Sequence, residues 1–434
     1  MAESHDVGVV ALVFSSDEAA RKILGDRLGS IIETGLSNNV HALKSELVAI
    51  DAPSVFRMTF STSQNTVTME DCTQIAHSQP IVDLEQGLNV QITLLPDKMM
   101  RLHEQPGLAV FDMDSTLIQQ EVIDELARAV GKYDQVSAIT EAAMRGEAPY
   151  TDFEASLRAR VALLNGVPTS IWDQLKAGTI TFTPGGAELV RVLKASGWKT
   201  AVLSGGFMPL ATWVKATLGL DYAFANQLVS DDSTNTLTGE LVRGAPIVHA
   251  ERKRELLKQL AADNKIPIEH TIAVGDGSND LLMMHTAGLG IAFNAKPKVQ
   301  AAAPARLNTA SLLSVAFMLG CTGEQITGSI ARHDHPRNWL PYQSRRHIPR
   351  EDCHVLAILI ADRDKAACAI NAELAREETA RWPELDPSQG TVLEQAESGD
   401  GVRGDYRSVG LREVEGGVVA VRDEKETVVG LSLR

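Results

Sequence analysis

Three short apolar runs, each ending in a polar or glycine-rich turn, constrain the fold of the middle of the chain more than any other feature. The runs are GLAVFDMD, KTAVLSGG and TIAVGDGSND, and patterns with helical periodicity, such as GGAELVRVLKASG, lie between them. Strands that alternate with helices favour a parallel sheet with helices on both faces. Ligands of such sheets bind beyond the carboxyl ends of the strands, where all three polar turns lie. The sequence therefore predicts an α/β domain over residues 106–322, with a Rossmann-like parallel sheet and one ligand site at that edge.

A long insert separates the first of these strands from the second. It covers about residues 119–181 and contains the helical patterns VIDELARAVG, VSAITEAAMRGE and DFEASLRARVALLNG. The insert is too long for a simple crossover. We expect a small helical cap that lies over the strand ends and acts as a lid.

The first 100 residues form a different pattern. VGVVALVF, VHALKSELVAI, SVFRMTFSTS and LNVQITLLP are typical of strands, with one helical segment after the first strand and another before the last. This βαββαβ order predicts a ferredoxin-like α+β domain over residues 1–100. No catalytic constellation lies in it, so a regulatory or assembly role is the expectation.

The C-terminal extension, residues 323–434, has no recognisable fold. HVLAILIA is typical of a strand, DKAACAINAELAREETARW of a helix, and GGVVAVRDEKETVVGLSLR of a β-hairpin. One segment contains residue types that bind zinc, namely His333, His335, His347, Cys353 and His354. Because their spacing fits no standard zinc pattern, a polar linker is the preferred interpretation.

Composition excludes some classes of partner. The net charge of −15 argues against nucleic acid and anionic membranes, which bind basic surfaces. The four cysteines are scattered, which is typical of a reducing compartment. Neither a signal peptide nor a membrane-spanning run is recognisable, so we expect a cytoplasmic protein.

Charged and hydroxyl side chains follow the three strands. They are Asp112 and Asp114, then Ser204 with its glycines, then Asp276, Asn279 and Asp280, with Lys253 on the preceding helix. Clustered carboxylates suit Mg²⁺, which prefers hard oxygen ligands, whereas Ser, Lys and glycine N–H groups bind anions. A cation site beside an anion site predicts phosphate chemistry.

Each of these residues also has a structural interpretation. The two aspartates alone could form a turn that caps a helix, and Ser204 could be a helix N-cap, a role compatible with phosphate binding. Lys253 lies between Arg252 and Arg254, so alone it is typical of a solvated helix face. Only the combination of all the motifs in one order favours a catalytic site.

That combination resembles the haloacid dehalogenase superfamily. The motifs are DMDST, SGGF, Lys253 and GDGSND, in the order and spacing of that superfamily. Further stretches, among them DSTLIQQEVIDELA, AMRGE, FEASLRARVALL and LGLDYAFAN, are similar to its phosphoserine phosphatase family. The resemblance covers roughly residues 107–320, and the N-terminal unit resembles an ACT domain by pattern only.

The resemblance implies roles for the core residues. Asp112 would be the nucleophile that forms an aspartyl-phosphate, and Asp114 would serve as acid and then as base. Mg²⁺ would be held by Asp112, Asp276 and the backbone carbonyl of Asp114, with Asp280 orienting its waters. The phosphate oxygens would be held by Ser204, the Gly205 N–H and Lys253.

The resemblance also implies substrate contacts in the cap. Glu121 would bind the amino group of O-phospho-L-serine and Arg160 its carboxylate, because the Arg fork matches a carboxylate. Arg158 competes with Arg160 for this role. The remaining matched positions are Met144, Phe153 and Asn279.

Three other functions are considered. The chain could be a phosphatase for another small phosphate, although Glu121 and Arg160 together favour an amino acid. It could be a catalytically silent amino-acid sensor, but the motif residues Asp112, Asp114 and Lys253 are all present. A P-type ATPase fragment is excluded by the missing DKTG motif. A homodimer through the N-terminal domain is a further expectation.

Overall fold

The computed structural model describes most of the first 333 residues and a short part of the C-terminal extension. The described residues are 7–15, 20–37, 39–49, 54–62, 66–150, 152–333, 418–422 and 428–432. Contacts divide the chain into two compact units, Met1–His333 and Asp334–Arg434. No helix within the described ranges has the length and apolar character that a membrane crossing needs.

The N-terminal unit is a ferredoxin-like domain. Its elements are β1 Val7–Ser15, α1 Ala20–Leu36, β2 Val40–Ala49, β3 Ser54–Thr62, α2 Met69–Ala76, α3 Gln79–Leu88 and β4 Gln91–Pro96. The four strands form one antiparallel sheet in the order β2-β3-β1-β4. This topology confirms the predicted α+β fold. The predicted helical segment before the last strand is α2; α3, with Pro80 in its first turn, is a further helix that the sequence did not predict.

The second part of the same unit contains the predicted α/β elements. In chain order they are α4 Asp97–Leu102, β5 Leu108–Phe111, α5 Val122–Ala129, α6 Tyr133–Met144, α7 Phe153–Ala162, α8 Ile171–Gln174, α9 Gly186–Ala195, β6 Lys199–Phe207, α10 Met208–Leu218, β7 Tyr222–Asn226, β8 Leu228–Asp231, β9 Thr236–Leu241, α11 Ala250–Asp263, β10 Thr271–Gly275, α12 Leu281–Thr286, β11 Leu289–Phe293, α13 Pro297–Ala302, β12 Ala305–Leu307, α14 Ser314–Met318 and α15 Gly323–His333.

Six of these strands form a parallel sheet in the order β12-β11-β10-β5-β6-β7. Alternate residues of the central strand β5 point to opposite faces: Leu108 and Val110 belong to one apolar cluster, Ala109 and Phe111 to the other. Burial on both faces explains why β5 is an uninterrupted apolar run. The three strands with polar turns, β5, β6 and β10, are adjacent, so the turns meet at one edge.

The cap is the insert between β5 and α9, and its helices are α5 to α8. The chain leaves and re-enters the sheet domain side by side, with Ile118 paired antiparallel to Phe182. The Gln119 N–H donates to the Thr181 carbonyl at 3.0 Å. The Gln120 side chain also bonds Thr181, at 2.9 Å to its N–H and 2.8 Å to its hydroxyl. Both ends of the cap are therefore fastened to each other.

The two domains of this unit meet where β12 and β4 approach each other. The Arg306 guanidinium donates to Glu85 and to the Ala76 carbonyl, both at 2.8 Å, and the Thr93 hydroxyl donates to the Arg306 carbonyl at 3.1 Å. On another side, Arg57 donates to the Gly320 carbonyl at 2.9 Å. The ferredoxin-like domain is thus fixed to the edge of the parallel sheet by polar contacts.

In the C-terminal extension, β13 Val418–Arg422 and β14 Val428–Ser432 form an antiparallel hairpin, as predicted for this stretch. His333 ends α15. The predicted strand HVLAILIA, the helix after it, and His335, His347, Cys353 and His354 lie outside the described residues.

Candidate active site

Asp112 lies immediately after β5, at the centre of the sheet edge. Its carboxyl group is buried, and its N–H donates to the Val274 carbonyl of β10 at 2.9 Å. Its Oδ1 accepts from the Met113 N–H at 2.7 Å and contacts the Lys253 Nζ at 2.8 Å. These contacts fix one carboxylate oxygen and leave Oδ2 as the oxygen available for chemistry.

Lys253 is fully buried, although its neighbours in sequence suggest a solvated helix face. Its Nζ lies 2.8 Å from Asp112 Oδ1 and 2.8 Å from Asp280 Oδ1. Burial alone would lower the pKa of Lys253, but the two carboxylates outweigh it and raise the pKa. The side chain is therefore an ammonium that is paired with two acids.

Three acids could hold a cation here. One carboxylate oxygen each from Asp112, Asp276 and Asp280 lie within 4.8 Å of one another. Burial, with the charges of Asp112 and Glu121, raises the pKa of Asp276 to about 7. A divalent cation would relieve this repulsion, and an all-oxygen donor set suits a hard ion.

The oxygens of Asp280 are already engaged. Oδ1 contacts Lys253, and Oδ2 accepts from the Gly277 N–H at 3.0 Å. A side chain at Gly275 would overlap this carboxylate, so glycine is required at that position. Asp280 is therefore suited to orient its neighbours, and Asp112 and Asp276 have the more available carboxylate oxygens.

Asp114 lies in an irregular turn, Met113–Leu117, which is tightened by Ser115 at φ +55°. Its Oδ2 accepts from the Val122 N–H at 3.1 Å, whereas Oδ1 is buried without a hydrogen-bond partner among the described residues. Burial, reinforced by Glu121 and Asp112, raises the pKa of Asp114 well above its usual range. This raised pKa makes the Asp114 carboxyl hold a proton more readily than an exposed aspartate does, as a proton donor requires.

The SGGF turn ends β6 next to Asp114. Ser204 is buried, and its Oγ accepts from the Gly206 N–H at 2.8 Å. Helix α10 begins at Met208 with Phe207 as its N-cap, so Ser204 does not cap that helix. The hydroxyl and the glycine backbone of this turn are placed at the same edge as Asp112.

Asn226 is a site residue that the sequence did not predict. Its Nδ2 donates to the Gly205 carbonyl at 2.7 Å, and its Oδ1 accepts from the Val248 N–H at 2.9 Å. This side chain fixes the backbone of the SGGF turn. It ends the stretch LGLDYAFAN, but a contact with Gly205 becomes evident only in the folded chain.

The cap brings Glu121 and Arg160 toward the acids. Glu121 immediately precedes α5, and its Oε1 accepts from the Ser115 hydroxyl at 2.7 Å. Loss of water around the carboxyl raises the pKa of Glu121 despite the Ser115 bond. Arg160 is half-buried on α7, and burial lowers its pKa although Asp124 and Glu121 attract the guanidinium.

Arg158, the competing candidate, is exposed and pairs with Glu154 at 2.7 Å. Arg160 also bonds its own helix, since its Nε donates to the Ser156 carbonyl at 3.3 Å, but Asp124 and Glu121 attract its guanidinium, whereas Arg158 pairs with an exposed acid. Phe153, at the start of α7, lies against Gly205. Asn279 is half-buried in the turn Ser278–Asp280. Met144 ends α6, but the placement of its side chain is outside the described part.

Comparison with known proteins supports this assignment of motifs. Residues 109–285 match the haloacid dehalogenase-like hydrolase family. A phosphoserine phosphatase of Idiomarina loihiensis is 52% identical over 215 residues, which cover 50% of this chain and 93% of that protein. The chain belongs to the phosphoserine phosphatase family of haloacid dehalogenase-like hydrolases. A probable phosphoserine phosphatase of Schizosaccharomyces pombe is 49% identical, over 50% of this chain and 71% of that protein.

Solved structures of the family resemble more than the catalytic half. A hydrolase of the same superfamily from Salmonella enterica serovar Typhi superposes with a TM-score of 0.58 at 29% identity, over 72% of this chain and 98% of that one. A probable phosphoserine phosphatase of Vibrio cholerae gives a TM-score of 0.53 at 28% identity, over 75% and 88% of the two chains. Both superpositions therefore extend beyond the α/β domain, which is half of the chain.

Proposed function

We propose that this chain is a Mg²⁺-dependent phosphatase that hydrolyses O-phospho-L-serine to L-serine and phosphate. The observation that supports it most is the pairing of Asp112, held by Lys253, with Asp114, whose Oδ1 is buried without a partner among the described residues and whose pKa is raised. This pairing supplies a carboxylate nucleophile and a proton donor two residues apart, which phosphoester cleavage needs.

In the first step, Asp112 Oδ2 attacks phosphorus, and the bond from phosphorus to the serine oxygen breaks. The proton of Asp114 passes to that leaving oxygen. Lys253 already contacts Asp112, and Ser204 with the Gly205 N–H lies at the same edge, so these groups bind the phosphoryl oxygens. The products of this step are serine and a phosphorylated Asp112.

In the second step, Asp114 is now ionised and removes a proton from water as the water attacks phosphorus. The acyl-phosphate bond breaks, Asp112 is regenerated, and Asp114 regains its proton. Asp112, Asp276 and the Asp114 carbonyl would hold Mg²⁺, which neutralises charge on the phosphoryl oxygens when bound.

Recognition of the serine part falls to the cap. Glu121, which accepts from Ser115 next to Asp114, would bind the substrate ammonium, and Arg160 would bind the carboxylate. Phe153, against Gly205, would cover the bound phosphate with an apolar ring, together with Met144. Asn279 would contact the phosphate from the turn that carries Asp280.

The test measures phosphate release from phospho-L-serine, phospho-L-threonine and p-nitrophenyl phosphate with Mg²⁺ present. We expect kcat/KM for phosphoserine to exceed the others by at least about tenfold, or roughly 1.4 kcal/mol. Asp112→Asn should abolish turnover of all three. Arg160→Met should remove the preference, whereas the matched variant Arg158→Met should keep it. Equal turnover of p-nitrophenyl phosphate by the wild type would contradict the substrate assignment.

Two further proposals concern assembly and location. The chain would form a homodimer through the ferredoxin-like domain, since β2 is an edge strand of its sheet and Leu43 on it is 42% exposed. Light scattering should give a dimer for the full chain and a monomer for Leu43→Asp; a wild-type monomer would contradict this.

The free thiols of Cys72 and Cys321 support a cytoplasmic location.

A further inference from the structure

The hairpin formed by β8 and β9 is joined to the cap by backbone hydrogen bonds. The Gly166 N–H donates to the Leu237 carbonyl at 2.8 Å, and the Leu237 N–H donates to the Val167 carbonyl at 2.7 Å. The Thr169 N–H donates to the Asn235 carbonyl at 2.8 Å. The segment after α7, residues 166–169, therefore lies alongside β9 as a third strand would. These hydrogen bonds connect this end of the cap to the hairpin.

A glycine allows α7 itself to approach the hairpin. Gly239 in β9 has φ +76°, and a side chain there would meet the Ala162 carbonyl oxygen at 3.1 Å and Asn165 Cβ at 3.1 Å. Ala162 is the last residue of α7. Any larger residue at position 239 must therefore displace the end of that helix or distort β9.

The same hairpin is continuous with the strand that fixes the SGGF turn. Asn226 ends β7 and bonds the Gly205 carbonyl at 2.7 Å, and β8 begins two residues later at Leu228. Leu237 and Leu241 of β9 are buried in the main core, so the hairpin is held rigidly at its base. The β8–β9 hairpin therefore contacts α7 at one end, and at its other end it adjoins Asn226, which bonds the SGGF turn.

We propose that the β8–β9 hairpin sets the distance between the cap residues that recognise the substrate and the turn that binds its phosphate. Gly239 is a positioning residue: it acts through α7, which carries Phe153 and Arg160, and it does not touch the substrate. This inference rests on the proposed function, since it assumes that Arg160 binds the carboxylate of phosphoserine.

The experiment compares Gly239→Ala with the matched variant Gly244→Ala. Gly244 has a similar positive φ, +78°, but a side chain there meets nothing within 4 Å. Both variants place an alanine at a positive φ, and only the first contacts α7. We expect Gly239→Ala to raise KM for phosphoserine about tenfold or more with a smaller change in kcat, because displaced recognition groups lose affinity steeply. Gly244→Ala should leave KM unchanged.

p-Nitrophenyl phosphate separates positioning from general damage. It lacks the amino and carboxylate groups, so Gly239→Ala should lower its kcat/KM much less than that of phosphoserine; Phe153 on α7, which lies against Gly205, accounts for the part that is lost. The inference is overturned if Gly239→Ala behaves like Gly244→Ala toward phosphoserine, or if it impairs both substrates equally. A wild-type chain without preference for phosphoserine would refute the proposed function first, and this inference with it.

A milder variant covers the case in which Gly239→Ala does not fold. The Thr169 hydroxyl donates to the Asn235 carbonyl at 3.2 Å, and Thr169→Val removes only that bond. We expect a severalfold rise in KM for phosphoserine, in line with the loss of one hydrogen bond. An unchanged KM in Thr169→Val would overturn the inference.

Discussion

Replacing Lys253 by methionine removes the one ammonium that contacts both Asp112 and Asp280. Methionine has a similar length and no charge, so the change leaves two carboxylates in a buried space without their cation. All three side chains are buried, Lys253 and Asp280 fully so. The variant therefore measures how much the ammonium contributes both to stability and to phosphate binding.

The distances from the Lys253 ammonium to the two carboxylates determine the size of the effect on stability. At 2.8 Å and an effective dielectric constant of 20, each contact is worth about 6 kcal/mol of attraction. Desolvation of the three groups costs several kcal/mol each and offsets most of this gain. Breaking such a buried pair costs about 3–5 kcal/mol, because the remaining charges stay buried. We expect that loss in the free energy of unfolding of Lys253→Met without divalent cations.

Added Mg²⁺ should reduce the loss, because a cation at the acids binds the folded state more tightly when the ammonium is missing. Urea unfolding followed by circular dichroism, with and without Mg²⁺, gives both quantities. Turnover of phosphoserine should fall by about 10²–10³, as for other groups that stabilise developing negative charge. Lys258→Met, on the exposed face of the same helix, is the control and should change stability by at most about 0.5 kcal/mol. A loss below about 1 kcal/mol in Lys253→Met would refute the reasoning.

Three more changes test other parts of the molecule. Glu85→Gln should lower the free energy of unfolding by about 2 kcal/mol, since it weakens a pair with Arg306 that is almost buried. Burial and the nearby His270 lower the pKa of His103, so the folded state binds fewer protons than the unfolded state. The contribution of His103 to the stability of the protein is therefore lost as the pH falls below 6.5. The urea midpoint of His103→Gln should vary less than that of the wild type between about pH 7 and 5. Removal of divalent cations with EDTA should abolish phosphate release and Mg²⁺ should restore it, and Asp276→Asn should raise the half-maximal Mg²⁺ concentration at least about tenfold.

Each of these predictions has a control variant or an outcome that would contradict it. Asp83→Asn, an exposed acid on the same helix as Glu85, should have little effect, and equal losses in the two variants would refute the interface argument. A His103→Gln variant with an unchanged pH slope would show that another group is responsible. An unaltered Mg²⁺ requirement in Asp276→Asn would exclude that residue as a ligand.

The sequence was sufficient for the parts of the fold that depend on local pattern. Strand β5 is apolar on both faces and ends in Asp112, so its place in the sheet and the position of the site follow from a few consecutive residues. The ferredoxin-like order was predictable for the same reason. The helix α3 was missed, although Pro80 in its first turn is a signal for the start of a helix.

The remaining features depend on contacts between distant residues. Asn226 fixes Gly205 from 21 positions away, and Arg306 reaches Glu85 across 221 positions, so neither partner is evident from sequence spacing. Lys253 illustrates the same limit: its charged neighbours suggest solvent, but tertiary packing buries it between two acids. The β8–β9 hairpin was also not predicted, because its short strands are only partly buried and their pattern is weak.

The paired entry and exit of the cap have a consequence for how such enzymes can diversify. Because Ile118 and Phe182 are neighbours, the two ends of the segment between them keep their positions when the sequence of that segment changes. The residues proposed as nucleophile, proton donor and cation ligands (Asp112, Asp114 and Asp276) all lie outside that segment, on the sheet domain. Replacement of this one continuous segment can therefore change the substrate range, while the residues proposed to cleave the phosphate ester stay the same.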